Sequence, residues 1–301
     1  VTGSSPQIAF LGAGLMGAPM VRRLLGAGFP VTVWNRAREK ALPLVAEGAA
    51  LAASPAEAVH GAEIVFTMLS DGTAVRDVLF SQGAAEALAP GAILVDTSSI
   101  APDMARDHAQ RLAERQVAHI DCPVSGGTAG AEAGTLALMA GGPTEAIARV
   151  APVIAPLGRL THVGPAGAGQ VCKLANQQIV AITIGAVAEA MVLVEAGGAD
   201  PAKFRNAIRG GFAESRVLDL HGARMIERDF SPGGPSRLQL KDLRAVEALA
   251  RASTLELPLS QVVLAEFESL VAAGHGDTDH SALLLHLETL NSHATGKKED
   301  Q

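Results

Sequence analysis

The sequence predicts an α/β domain built on a mainly parallel sheet, then an all-α domain, the two joined by a long helix. Three observations predict it. Short apolar runs alternate with amphipathic segments through the first half of the chain, as βαβ units require. Strand signals stop at Gly164-Pro165. An apolar, proline-free stretch then runs from Ala166 to Ala196.

The strand candidates, in order, are 7-QIAFLG-12, 31-VTVWN-35, 63-EIVFTML-69, 92-AILVDTS-98, 118-AHIDCPV-124 and 136-LALMAGG-142, and 159-RLTHVG-164 supplies a last one. Past Pro165 the chain turns helical. With Gly197-Gly198 as its stop, the stretch from Ala166 makes one helix of ~45 Å at 1.5 Å per residue. It is apolar on nearly every face, and such a helix must be buried. A second subunit is therefore expected to share in covering it, in a homodimer or homotetramer. The expected domains are 1–165 for nucleotide binding and 166–294 for substrate and subunit contacts, with a disordered tail at 295–301.

Composition narrows the function. With 301 residues, 48% hydrophobic and 18% charged, the chain can fill two cores. A net charge of -7 with only 3% aromatic residues lacks the basic face and stacking groups of a nucleic-acid binder. The longest apolar window, Ile179 to Ala188, is short of the ~20 residues of a membrane span. No basic segment precedes an apolar run at 1-VTGSSPQ-7, so a cytoplasmic protein is expected. Cys122 and Cys172 cannot form a disulfide framework, no zinc spacing is present, and both read as small buried hydrophobes.

Directly after the first strand stands Gly12-x-Gly14-x-x-Gly17, at the start of an amphipathic helix. In a chain with 32 glycines, composition alone yields about 0.4 such matches, so context decides. Here strand, glycine turn, helix and second strand follow in the order of a Rossmann-type dinucleotide site. The first glycine permits the turn, the second admits the pyrophosphate, and the third lets helix and strand close up. Gly12, Gly14, Leu15, Met16 and Gly17 are the cofactor-loop candidates. The second strand ends at Asn35, where an NAD site usually carries an acid, and Arg36, Arg38 and Lys40 follow. That pattern favours NADP, with NAD as the alternative and a merely solvated basic turn as the bland reading.

Lys173 sits in the oily stretch 167-GAGQVCKLANQ-177. Asn176 and Gln177 stand three and four residues on, on the same helical face, so the three can address one substrate. An ammonium there can stabilise the alkoxide left by hydride delivery and give it a proton. A lysine snorkelling to solvent is the plain alternative. In 121-DCPVSGG-127, Ser125, Gly126 and Gly127 offer a hydroxyl and unobstructed N–H groups to a carboxylate, although in isolation such a segment is more often only a turn.

Together, 10-FLGAGLMGAPM-20, 121-DCPVSGG-127 and 167-GAGQVCKLANQ-177 resemble the β-hydroxyacid dehydrogenases, the family of 3-hydroxyisobutyrate dehydrogenase, tartronate semialdehyde reductase and 6-phosphogluconate dehydrogenase. The resemblance covers nearly the whole chain and continues through 241-KDL-243 and 279-DHSALL-284. It is closest to the tartronate semialdehyde (2-hydroxy-3-oxopropionate) reductase branch. It implies that Lys173 is the acid/base and that Ser125 to Gly127 bind the substrate acid group. Thr97 and Lys241 would contact the cofactor, and Met68 and Leu69 would flank its adenosine or ribose. The family's aromatic residue after Pro-Gly is absent here, where Gly234 stands. His275, Asp277, Asp279 and His280 suggest a metal on sight, but a loop with an Asp or Ser helix cap explains them, and no metal is expected.

The expected activity is NADP(H)-dependent interconversion of a small 3-hydroxy acid and its semialdehyde, with tartronate semialdehyde favoured. 3-Hydroxyisobutyrate, succinic semialdehyde, glyoxylate, threonate and serine are the substitutes. A non-catalytic dinucleotide-binding regulator is the rival of another class, and an imine reductase is disfavoured because such relatives typically lack the lysine.

Overall fold

The computed structural model describes residues 5–291; the tail expected at 295–301 lies outside them. The first half forms a nine-stranded sheet from β1 (Ile8–Leu11), β2 (Val31–Trp34), β3 (Ala50–Leu51), β4 (Ile64–Thr67), β5 (Ile93–Asp96), β6 (Ala118–Asp121), β7 (Val124–Ser125), β8 (Leu136–Gly141) and β9 (Gly158–Gly164). Their order is β3-β2-β1-β4-β5-β6-β8-β7, with β9 beside β8. Pairing is parallel from β3 to β6, whereas β8 runs antiparallel to β6 and β7. The chain leaves β1 in one direction to β2 and β3, then returns to its other side as β4. Such a switch point opens a crevice at the carboxyl ends of β1 and β4, where open α/β sheets take ligands.

Alternation divides the sheet into two apolar faces. Ile8 and Phe10 enter one core, and Ala9 and Leu11 the other. Phe10 stacks on its register partner Phe66 with ring centroids 5.7 Å apart. Helices cover both faces: α1 (Gly17–Gly26), α2 (Leu42–Ala46), α3 (Pro55–Val59), α4 (Gly72–Arg76), α5 (Ala84–Ala87), α6 (Pro102–Ala113), α7 (Gly127–Ala133) and α8 (Thr144–Ile154). The run 118–124 is not one strand as its apolar pattern suggested. Pro123, which has no N–H to give a ladder, separates β6 from β7.

The second half is helical: α9 (Ala168–Ala196), α10 (Pro201–Ala207), α11 (Arg216–Glu227), α12 (Ser236–Ala252), α13 (Pro258–Leu270) and α14 (Leu283–Leu290). Ala181, Ile184, Ala188 and Met191 of α9 share a core with Leu218, Leu243, Phe267 and Leu283. Within one chain, however, α9 is not buried all round, because Ile179 and Leu193 are 65% and 74% exposed. Taken whole, its 29 residues are also long and apolar enough to cross a membrane by length and composition, which the short window Ile179 to Ala188 did not convey. Lys173, Glu189 and Glu195 interrupt it.

Compact units divide after Lys173, inside α9, rather than at Gly164-Pro165. The first turn and a half of the helix is bound to the sheet, as described next.

Candidate active site

The glycine loop follows from close backbone approach. Gly12 has φ +113°, and a Cβ there would stand 2.2 Å from the Met68 carbonyl oxygen. At Gly17 a Cβ would lie 1.8 Å from the Gly12 carbonyl oxygen. Gly14 differs, with no atom within 4 Å of where its Cβ would project. The first and third glycines are thus demanded by the protein's own packing, while the second borders open space. Leu15 is 87% exposed, and Met16 caps α1 without a side-chain hydrogen bond. In the first turn of α1 the Ala18 N–H donates to the Gly14 carbonyl at 3.0 Å and Pro19 has no N–H, so an anion there is favoured chiefly by the helix dipole. Met68 and Leu69 wall Gly12 from β4, as the Leu69 Cδ2 position 3.0 Å from that Cβ indicates. These residues fit a dinucleotide pyrophosphate.

Asn35 is placed differently from an acid that would face a ribose. Its Oδ1 accepts the Ala13 N–H at 2.9 Å and its Nδ2 donates to the Ala37 carbonyl at 2.8 Å, so its amide ties the glycine loop to the turn after β2. Arg36, Arg38 and Lys40 are exposed on that turn, with no ion pair to them among the described residues. Thr97 lies deeper. It is fully buried, its hydroxyl donates to the Thr67 carbonyl at 2.6 Å, and it reaches only the Met68 sulfur, at 3.3 Å, on the loop side. Its side chain supports Met68 beside the glycine loop.

Asp121, at the end of β6, is fully buried and holds the start of α9. Its Oδ1 accepts the Gly167 N–H at 2.7 Å and its Oδ2 the Gln170 N–H at 2.9 Å, satisfying two of the donors that a helix start leaves unpaired. Gln170, 1% exposed, accepts the Ile100 N–H at 3.1 Å and donates to the Ser98 carbonyl at 2.8 Å. Gly169 is required here because a Cβ would stand 2.3 Å from the Met139 carbonyl oxygen and 2.4 Å from that of Asp121. The glycines ahead of Lys173 thus let α9 approach the strand ends, and Lys173 emerges half-buried three residues beyond Gln170. Four residues beyond Asp121 stands half-buried Ser125, followed by exposed Gly126 and Gly127 at φ +137° and +63°. The carboxylate thus fixes the start of the lysine helix, and the Ser-Gly-Gly segment leaves the same strand end. Sequence reading missed Asp121 and Gln170; the available signal was an acid closing an apolar strand.

Burial pushes the Asp121 carboxyl up to about 6, against the pull of its two N–H donors, and neighbouring Asp96 adds to the rise. The sign follows from a folded pKa above the ordinary 3.8. The ionised form costs stability on the order of 2–3 kcal/mol, a cost that grows as pH rises from about 4 to 6. Capping by both oxygens needs that same ionised form. Over this interval kcat is expected to rise while the Tm difference between wild type and Asp121→Asn falls. An acid limb of kcat near pH 6 that persists unchanged in Asp121→Asn would refute the link.

In the helical unit, Asn176 donates to Gln177 Oε1 at 3.0 Å, and Gln177 donates to Asp242 Oδ2 at 2.8 Å. The Lys241 ammonium is 3.4 Å from Asp242 Oδ1. Asp242, not singled out in the sequence, thereby joins the predicted Gln177 and Lys241. Asp279 caps the short turn His280–Ala282 through the Ser281 N–H and also accepts the Gly233 and Gly234 N–H groups. The absent aromatic at Gly234 has a local cause, since the His280 ring stands 3.2 Å from where its Cβ would be.

Comparison with known proteins covers both halves. Residues 7–166 match the family model for the NAD-binding domain of 6-phosphogluconate dehydrogenase, and residues 167–287 that for the NAD-binding region of NADP-dependent 3-hydroxyisobutyrate dehydrogenase. The chain is 40% identical to the 2-hydroxy-3-oxopropionate reductase of Escherichia coli K12, over 95% of this chain and 99% of that one. It is 37% identical to the NAD-dependent L-serine dehydrogenase of Pseudomonas aeruginosa, over 92% and 96%. The Mycobacterium tuberculosis 3-hydroxyisobutyrate dehydrogenase, solved with L-serine, superposes with a TM-score of 0.87 at 34% identity, covering 94% of this chain and 99% of that one.

Proposed function

This chain belongs to the β-hydroxyacid dehydrogenases, NAD(P)-dependent oxidoreductases of small hydroxy acids, and on that premise we propose that it is an NADPH-dependent tartronate semialdehyde reductase, soluble and cytoplasmic, forming glycerate. The observation that carries the reading is the anchoring of the Lys173 turn to the buried carboxylate of Asp121, which stands four residues before Ser125 on the chain. When bound, the nicotinamide supplies the hydride. Lys173 stabilises the oxygen that becomes an alkoxide and delivers its proton, and in the reverse direction it takes that proton back. Ser125 and the N–H groups of Gly126 and Gly127 hold the carboxylate that does not react, which orients the aldehyde carbon. Asn176 and Gln177, braced by Asp242, bind the substrate hydroxyl side. Similarity to the Escherichia coli reductase supports the substrate, and Arg36, exposed and with no ion pair among the described residues, supports NADPH over NADH.

The test is a panel of tartronate semialdehyde, 3-hydroxyisobutyrate, L-serine, succinic semialdehyde and glyoxylate, each with both cofactors. The highest kcat/KM is expected for tartronate semialdehyde with NADPH. A higher value for L-serine or 3-hydroxyisobutyrate with NAD would replace this reading by that of the other relatives.

The same proposal includes a homodimer or homotetramer. Ile179, Ala186 and Leu193 recur every seven residues along α9 and are all exposed within one chain. A second copy would cover that stripe. Analytical ultracentrifugation at micromolar concentration should give a species of at least twice the chain mass; a single monomeric species would overturn the subunit contact.

A further inference from the structure

Behind the strand ends, the first unit holds a polar cluster that the proposed chemistry does not use. Asp96 closes β5, His119 lies in β6, and His108 lies in α6. Register explains why they converge. Asp96 pairs with Asp121 and Leu94 with His119, so Asp96 and His119 point to the sheet face whose core includes Leu94 and, from α6, Ala105 and Leu112. His108 falls between those two on the buried stripe of α6. All three side chains are at most 2% exposed, and one ligand atom from each lies within 4.8 Å of the other two.

Their hydrogen bonding is incomplete. Asp96 Oδ1 accepts the Thr67 hydroxyl at 2.6 Å and the Ser98 N–H at 3.0 Å, but Oδ2 has no partner. None of the four ring nitrogens of His108 and His119 has one either. Buried polar atoms are nearly always paired, and each one left unmade costs about 1–3 kcal/mol, so the three that converge, one from each residue, call for an occupant. We infer that Asp96, His108 and His119 form a buried site for a divalent transition-metal ion, zinc best of all, which ties α6 to the carboxyl ends of β5 and β6.

The donor set selects the ion. Two imidazoles and one carboxylate suit borderline cations and offer too few oxygens for calcium or magnesium. Burial pushes His119 down to about 3 and also lowers His108, so both rings are neutral and keep a lone pair for a metal. Burial raises the Asp96 pKa, and a bound cation is what would favour its ionised, ligating form. His108 packs against Phe80, and the Arg111 guanidinium lies 3.4 Å over that ring, closing the cluster from outside. The ion must therefore enter before folding is complete. His221, Asp279 and His280 form a second close group, but there the carboxylate already accepts bonds from Gly233, Gly234 and Ser281, and Arg224 stands 3.8 Å away.

The full chain is unfolded in denaturant with a chelator, then refolded with zinc, with cobalt(II) or with chelator alone, and freed of unbound ion by gel filtration. Elemental analysis is expected to find about one zinc per chain. The cobalt form should show the intense visible bands of a low-coordinate site. Zinc should raise Tm by roughly 5 °C or more over the chelated protein. His119→Phe and His108→Leu should each abolish retention while NADPH binding persists. Wild type that refolds yet keeps less than about a tenth of an equivalent of either ion overturns the site and assigns the cluster to water; so does undiminished retention in both variants. If the variants do not fold, the wild-type stoichiometry and cobalt spectrum decide alone.

Discussion

Replacing Lys173 by alanine is expected to lower kcat by about 10² to 10⁴, the range for removing a positioned general acid/base, with cofactor affinity little changed. The separation follows from placement. The glycine loop that fits the pyrophosphate is shaped by Gly12, Gly17 and Met68 and owes nothing to α9. The lysine turn is held by Asp121 and Gln170, whose bonds to backbone N–H and carbonyl groups survive the truncation. A purified variant that retains more than about a tenth of wild-type kcat, with chemistry shown to limit the rate, would remove Lys173 from the proton transfer. A variant that also loses NADPH affinity by a similar factor would show that the turn, and not the ammonium, was lost.

Arg36→Ala is expected to reduce the NADPH/NADH preference by roughly 10- to 150-fold, the equivalent of a charge-assisted hydrogen bond worth ~1.5–3 kcal/mol. Asn35 spends its amide on Ala13 and Ala37, so discrimination at the end of β2 falls to the exposed guanidinium beside it. Only NADPH has a 2′-phosphate to lose there. The comparison requires Kd for both cofactors in both proteins; equal losses, or a wild type that prefers NADH, would return the turn at 36–40 to plain solvated charge.

The sequence carried the parts of this site that are local. Gly12, Gly14 and Gly17 are constrained by one strand, one turn and one helix, and a strand followed by that spacing is legible without a neighbour in view. The face shared by Lys173, Asn176 and Gln177 is likewise a property of helical period alone. The order of βαβ units and the long helix at 168–196 follow from periodicity and from the positions of proline and glycine.

Only the tertiary structure could supply what depends on residues far apart in the chain. Asp121 meets the backbone of Gly167 and Gln170 across 46 and 49 residues, and Gln177 meets Asp242 across 65. The burial of Thr97 and its bond to the Thr67 carbonyl are likewise set by the sheet. Hydrogen bonds fasten the helix start to the sheet, so the compact units divide inside α9. Asp96, His108 and His119 have no spacing to announce them; register and the packing of α6 bring them together. Secondary structure and backbone-approach motifs are written in short-range sterics, which single residues set. The partners of a buried carboxylate or imidazole are chosen by the folded chain, where desolvation makes an unpaired polar atom costly.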